Sequence, residues 1–361
     1  MSSVSGILSD RQIGDLFQTG RLASDSELEK DQIQPASLDL RLGSKAWRVR
    51  ASFLPGETTV AEKLDRFALH QFTLDGGTVL EVGCVYIVEL QERAALPETV
   101  AASANPKSST GRLDIFTRVL VDRARQFDMV GAGYNGPIYV EISPRTFPVL
   151  VRPGSRLSQI RFREGDALLG AEELLKLHEA ETLVAGERHD IDARGIAMSI
   201  DLSGDENGLI GYRGKRHTGV VDVDKKAACK VADYWEPLHR TDGGELVLDP
   251  DEFYILVSRE AVHVPPDYAA EMVPFDPLVG EFRVHYAGFF DPGFGNANAG
   301  GAGSRAVLEV RSHEVPFILE HGQTVGRLVY ERMQERPTAL YGSDLGSNYQ
   351  AQGLKLSKHF Y

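Results

Sequence analysis

The sequence predicts a mainly β protein built by tandem duplication of a distorted β-barrel or jelly-roll domain, with a few short helices. Two observations carry this. Short segments that alternate apolar and polar residues recur at close spacing, with Gly or Pro turns between them, which suits a barrel or jelly roll better than an α/β sheet. The second half then repeats the first at one offset. Tyr254-Ile255 follows Tyr86-Ile87 by 168 residues, and Pro265, Glu309, Pro316 and Gly322 follow Pro97, Glu141, Pro148 and Gly154 by the same 168. A single offset held across strands and turns is the mark of an internal repeat. The chain divides into a first copy over 1–185 and a second over 196–361, joined by the charged, Gly-containing stretch Ala185 to Gly195.

The elements follow in order. Ser9 and Gln12 form a capping box for a short helix with Ile13, Leu16 and Phe17 on its apolar stripe, and Gly20 stops it. In Ser37-Leu38-Asp39-Leu40-Arg41-Leu42-Gly43 the leucines alternate with polar residues, as in a half-buried strand. Ser199-Ile200-Asp201-Leu202 echoes it in the second copy. Val85–Leu90, Val119–Val121, Ile138–Ser143 and Val149–Arg152 also read as strands, and Glu172–Glu181 as a helix.

Composition narrows the function. With 42% hydrophobic and 25% charged residues over 361 positions, the chain is an ordinary soluble protein of two-domain size. A net charge of −13 argues against nucleic-acid binding, which needs a basic face. No apolar run approaches the roughly 18–20 residues of a membrane span. Met1-Ser2-Ser3-Val4 lacks the charged and apolar regions of a signal peptide, so a cytoplasmic location is expected. Cys84 and Cys229 stand far apart, with no C-x-x-C and no H-x-E. Neither a disulfide framework nor a zinc site of the kind that activates water in base deaminases is visible.

Against this acidic background one loop is locally basic: Asn105-Pro106-Lys107-Ser108-Ser109-Thr110-Gly111-Arg112. Two cations flanking hydroxyls and turn N–H groups suit a phosphate chain, Arg through forked hydrogen bonds and Lys as a point charge. Further on, Glu141 shares a strand face with Tyr139 and Ser143, opposite Ile138, Val140 and Ile142. Enclosed, such a carboxylate would have a raised pKa and serve as a general base; on a wet sheet face it would be inert. Glu309 repeats it in the second copy, between Leu308 and Val310. Ala124-Arg125-Gln126-Phe127-Asp128 is the third candidate element. The second copy has Val273 to Leu278 where the first has its basic loop. It carries instead the Gly/Asn/Ala stretch Gly295–Gly303 and a polar tail from Tyr341 to Tyr361, a candidate lid.

Taken together, Ser-Leu-Asp-Leu-Arg-Leu-Gly, Lys-Ser-Ser-x-x-Arg, Ala-x-x-Phe-Asp, Val-Glu, Arg-Pro-Gly and a Tyr…Tyr-x-x-Gln tail, in that order, resemble the dCTP deaminases of the dUTPase-like superfamily. The resemblance covers about 35 to 162, the second copy more weakly, and the tail. It implies a trimer with sites between subunits, or here a dimer of tandem chains. It also implies hydrolysis of dCTP to dUTP and ammonia without zinc, with Mg²⁺ carried on the triphosphate. By resemblance, Lys107, Ser108, Ser109 and Arg112 serve the phosphates and the catalytic water, and the Ala124 carbonyl helps hold the base or water. Phe127 lies against the deoxyribose, Asp128 binds its 3′-hydroxyl, and Glu141 is the general base. Tyr341, Tyr349 and Gln352 close over the triphosphate. Three positions depart: Gln126 stands for Arg, Asn348 for a tail Lys, and the second copy keeps Asp291 and Glu309 without the loop. Whether Glu141 or Glu309 completes the site stays open. So do further hydrolysis of dUTP on the same fold and a nucleotide-binding regulator without catalysis.

Overall fold

A computed structural model describes residues 5–185, 190–274, 282–285, 288–295, 303–312, 314–342 and 353–361. The duplication is explicit in its strands. Val85–Ala95, Val100–Pro106 and Arg156–Glu164 recur as Phe253–Val262, Tyr268–Pro274 and Thr324–Arg332. Every one of these first residues is displaced by the offset read from sequence.

In the first copy, one sheet path runs Met129–Val130, Val100–Pro106, Arg156–Glu164, Ser37–Val49, Val85–Ala95, Asn135–Pro144, Ile115–Val121. Ser37–Val49 joins the two layers. It pairs with Arg156–Glu164 through its first half and with Val85–Ala95 through its second, shifting register between Leu42 and Ala46. The bend falls at Gly43, where a Cβ would lie 2.5 Å from the Glu89 carbonyl oxygen, so only glycine lets the strands approach.

Residues 37–42 of this strand are buried on both faces, not one. Leu38, Leu40 and Leu42 enter the core as the alternation predicts, but Asp39 and Arg41 are each only 2% exposed. Arg41 is satisfied by the buried Glu92 at 2.8 Å, and Asp39 by Lys107 and Arg156. Charge pairing, invisible to a binary pattern, is what lets the polar face close over.

The capping box at Ser9 and Gln12 forms and the helix runs Asp10–Gln18. The helix Ala171–Glu181, which a division at 185 assigns to the first copy, packs into the second core, with Leu174, Leu183 and Val184 beside Ile196 and Leu328. Within the expected linker, Ile191–Asp192 forms a short hairpin with Gly195–Ser199, and 186–189 lie outside the described residues. The copies are not independent. The first core takes in Val221, Val223, Trp235, Phe253 and Leu356 from the second half. No described helix is long and apolar enough to cross a membrane.

Candidate functional site

The basic loop closes on the second copy. After Val100–Pro106 the chain makes one helical turn, Ser108–Gly111, with Lys107 in extended geometry ahead of it. Lys107 is pinned to Asp39, while Ser109, Thr110 and Arg112 are buried. Arg112 donates from Nη1 to the Lys355 carbonyl at 3.1 Å, and its Nε lies 3.8 Å from Oε1 of Glu309. Loop and carboxylate line one cavity of ≈ 440 Å³ with Ser108, Gln159, Asp291 and Tyr341. Met272, Phe289, Phe290 and Ala306 give it apolar wall suited to a planar ring.

Electrostatics single out Glu309. Burial pushes its carboxyl up to about 8, and Arg112 only partly offsets this. Asp291 is also raised by burial, against the opposing pull of Arg161. Arg161 is fully buried and crosses from the first copy to hold this wall. It donates to the Ala270 carbonyl at 3.0 Å, approaches Asp291 Oδ1 at 3.3 Å and stacks over Phe289 at 4.1 Å.

Ala124, Phe127, Asp128 and Glu141 do not line this cavity. They sit under the first copy's own segment between Arg50 and Phe67. The Ala124 carbonyl accepts the Gly56 N–H at 3.0 Å. Arg118 fills the space before Glu141, its Nη2 2.7 Å from Oε1, and it also donates to Ser52 at 2.7 Å. The Phe127 ring lies 3.6 Å from the Arg118 guanidinium carbon and packs with Phe53, Val60 and Leu64. Asp128 has φ +62°, accepts the Val119 N–H at 2.7 Å, and is pushed up to about 7 by burial. It ties strands together and does not line the cavity above.

Register also shows that Asp128 and Asp291 are not equivalent. Val130 pairs with Ala102, and Phe290 with Ala270, the repeat partner of Ala102. Asp291 therefore takes the place of Gly131, and Gly288 that of Asp128. The shared Phe-Asp dipeptide is out of register by three residues, the difference being taken up before Glu309. Of the tail, Tyr341 reaches the cavity, while Tyr349 and Gln352 lie outside the described residues.

Residues 4–166 match the N-terminal domain and residues 170–360 the C-terminal domain of 2′-deoxycytidine 5′-triphosphate deaminase. The chain belongs to the dCTP deaminase family. A crystal structure of 2′-deoxycytidine 5′-triphosphate deaminase from Agrobacterium tumefaciens is 70% identical, with a TM-score of 0.91 over 95% of this chain and all of that one. The dCTP deaminase of Haloarcula marismortui is 32% identical over 165 residues, 44% of this chain and 80% of the relative. A dUMP-forming dCTP deaminase of Methanosphaera stadtmanae is 30% identical over 43% of this chain and 78% of its own length. The chain is thus an enzyme of the dCTP deaminase family in a two-domain form.

Within this dCTP deaminase frame, several cavity residues carry no sequence signal. Arg156 and Gln159 come from a strand whose alternation looks ordinary, and Lys226 from a charged run that reads as solvated surface. Lys358 sits three residues from the chain end, where only the tail's fold-back could place it.

Proposed function

We propose that this chain hydrolyses dCTP to dUTP and ammonia in one site per chain, with the first copy's loop facing the second copy's Glu309. The observation that carries this is the convergence of Arg112 and a buried, pKa-raised Glu309 on one cavity. Ionised Glu309 takes a proton from water as its oxygen bonds to C4 of the cytosine ring. Arg112 and Ser108 stand beside the developing charge. Glu309 returns the proton to the amino nitrogen, the C4–N bond breaks and ammonia leaves, and the proton left on the C4 oxygen passes to N3, giving the uracil carbonyl. A carboxyl group near 8 suits both halves of this exchange, because it accepts and releases a proton near neutrality. Asp291 and Phe290 replace Asp128 and Phe127 as the sugar-facing pair. Ala124, with its carbonyl already engaged, takes no part.

Magnesium belongs with the nucleotide's phosphates in this reading. Among the described residues no three His, Cys, Asp or Glu converge as a metal site, Asp39 is held by Lys107 and Arg156, and Asp224 by Arg152 and Ser155. The ion supplies charge neutralisation along the phosphate chain, and the chain's own part is to hold the phosphates with Lys107 and the loop.

The pH profile tests the assignment. The base is ionised above its pKa, so kcat/KM should rise about tenfold per pH unit on the acid side and level off near pH 8. A profile flat from about pH 6 to 9 would contradict Glu309 as base. Because relatives such as the Methanosphaera stadtmanae protein are named dUMP-forming, product identity needs its own measurement. The expected product is dUTP with ammonia, and dUMP with pyrophosphate would establish the bifunctional reading.

The first copy's counterpart site is closed by its own chain, through Gly56 on Ala124 and Arg118 with Ser52 before Glu141. Glu141→Gln should therefore keep turnover within about twofold of the parent, while weakening the fold by about 1–3 kcal/mol through the lost charged hydrogen bond. Loss of turnover in a folded Glu141→Gln chain would restore Glu141 as the base.

A further inference from the structure

The chain's last residues are anchored beside the cavity and contribute Lys358 to its lining. Ser357 Oγ donates to the Ser109 carbonyl at 3.0 Å and lies 2.9 Å from Nδ1 of His359, whose Nε2 is 2.9 Å from the Val223 carbonyl oxygen. Ser357 and His359 are each 2% exposed. Burial holds His359 down to about 4, against the opposing pull of the Val223 carbonyl. The backbone pairs alongside: Ala227 N–H donates to the Lys358 carbonyl at 3.0 Å, and Ala228 N–H to that of His359 at 2.9 Å. Phe360 finishes the anchor among Phe147, Tyr234 and Trp235.

This anchoring gives Lys358 one direction. With Ser357 and His359 both turned inward, its side chain lines the cavity with Lys107 and Lys226. Three lysines from three distant segments thus line the same cavity, Lys107 already paired with Asp39. Burial, then the nearness of Lys107 and Lys226, holds the Lys358 ammonium below its ordinary range. Carboxylates are present too, but already engaged: Asp39 with Lys107 and Arg156, Asp224 with Arg152, Glu29 and Asp31 with Arg156. Lys226 makes no ion pair among the described residues. Lys226 is exposed and Lys358 half-buried, so both ammonium groups stay within reach of a polyanion entering the cavity.

We propose that Lys226 and Lys358 bind the outer phosphates of the nucleotide. This rests on the deaminase reading only for the identity of the ligand; the chemistry it requires is a polyphosphate. The test is calorimetric binding of inorganic tripolyphosphate to the full chain, alongside dCTP kinetics. Lys226→Ala and Lys358→Gln, the latter keeping much of the aliphatic stem, should each weaken tripolyphosphate binding by about tenfold. Each should raise KM for dCTP by a similar factor with kcat within about twofold, and leave deoxycytidine binding and the melting temperature unchanged. Weakened tripolyphosphate binding in a chain that fails to deaminate dCTP would sink the deaminase reading and leave this assignment standing. No tripolyphosphate binding by the parent chain, or binding by both variants equal to the parent's, would overturn it.

Discussion

Replacing Glu309 by Gln lowers dCTP turnover by about 10²–10⁴-fold, the range for removing a positioned general base. Nucleotide binding persists, because Gln keeps the shape and the cavity's cations are untouched. The fold does not weaken either: burial already disfavours the ionised form of Glu309, and a neutral amide avoids that cost. Loss of activity without loss of stability or binding separates a catalytic role from a structural one. Ammonia release under saturating dCTP, with calorimetric dCTP binding and a melting curve on the same preparation, checks all three. A variant retaining more than about a tenth of parent turnover would remove Glu309 from the chemistry.

The second large effect is on stability. Arg161→Met leaves the buried Asp291 and Glu331 facing each other's field without their shared guanidinium, which lies 3.3 and 3.5 Å from them. It also strips donors from the Ala270 and Phe290 carbonyls. Breaking a buried ion pair from one side costs about 3–5 kcal/mol, because the remaining charge is uncompensated. Arg161→Lys should recover only part of this, since an ammonium cannot reproduce the fork. Because Glu331 keeps Arg163 at 3.4 Å, adding Glu331→Gln to Arg161→Met should recover little. Urea unfolding reads all of these, and a loss under about 1 kcal/mol for Arg161→Met would show that the contacts between copies do not depend on it.

Much of this architecture could be read from residues alone. The repeat offset survives because pairing fixes strand register: Glu141 pairs with Ile87 and Glu309 with Ile255, each 168 residues on. The capping box at Ser9 and Gln12 is local and formed as written. The basic loop was legible because two cations around hydroxyls have few other uses in an acidic chain. What sequence could not decide was the wall that meets the loop. Glu141 and Glu309 sit in strands of the same alternation, and both are buried. They differ in what lies across the ladder: Arg118 stands opposite Glu141 in register, and His285 opposite Glu309. They differ also in cover, since Gly56, Ser52 and Phe53 close the first site through contacts over 60 residues apart in sequence.

The Phe-Asp dipeptides differ in place for a related reason. Matching letters cannot see the ladder pairing that puts Asp291 three residues past the place of Asp128. The tail divides in two. A polar, Gly- and Ser-containing stretch suggested a lid, and its residues 343–352 lie outside the described residues, whereas its last residues are anchored through Leu356, Ser357, His359 and Phe360. Those four carry no periodic signal, and their partners come from 109, 147 and 223–235.

The most direct test of a single site built from both copies is a crystal structure of the Glu309→Gln chain with dCTP. The account predicts one nucleotide per chain, its cytosine C4 beside Arg112 and the substituted side chain at position 309, its phosphates at Lys107, and no nucleotide under the Arg50–Phe67 segment. A nucleotide whose ring lies against Glu141, or two nucleotides bound per chain, would contradict it.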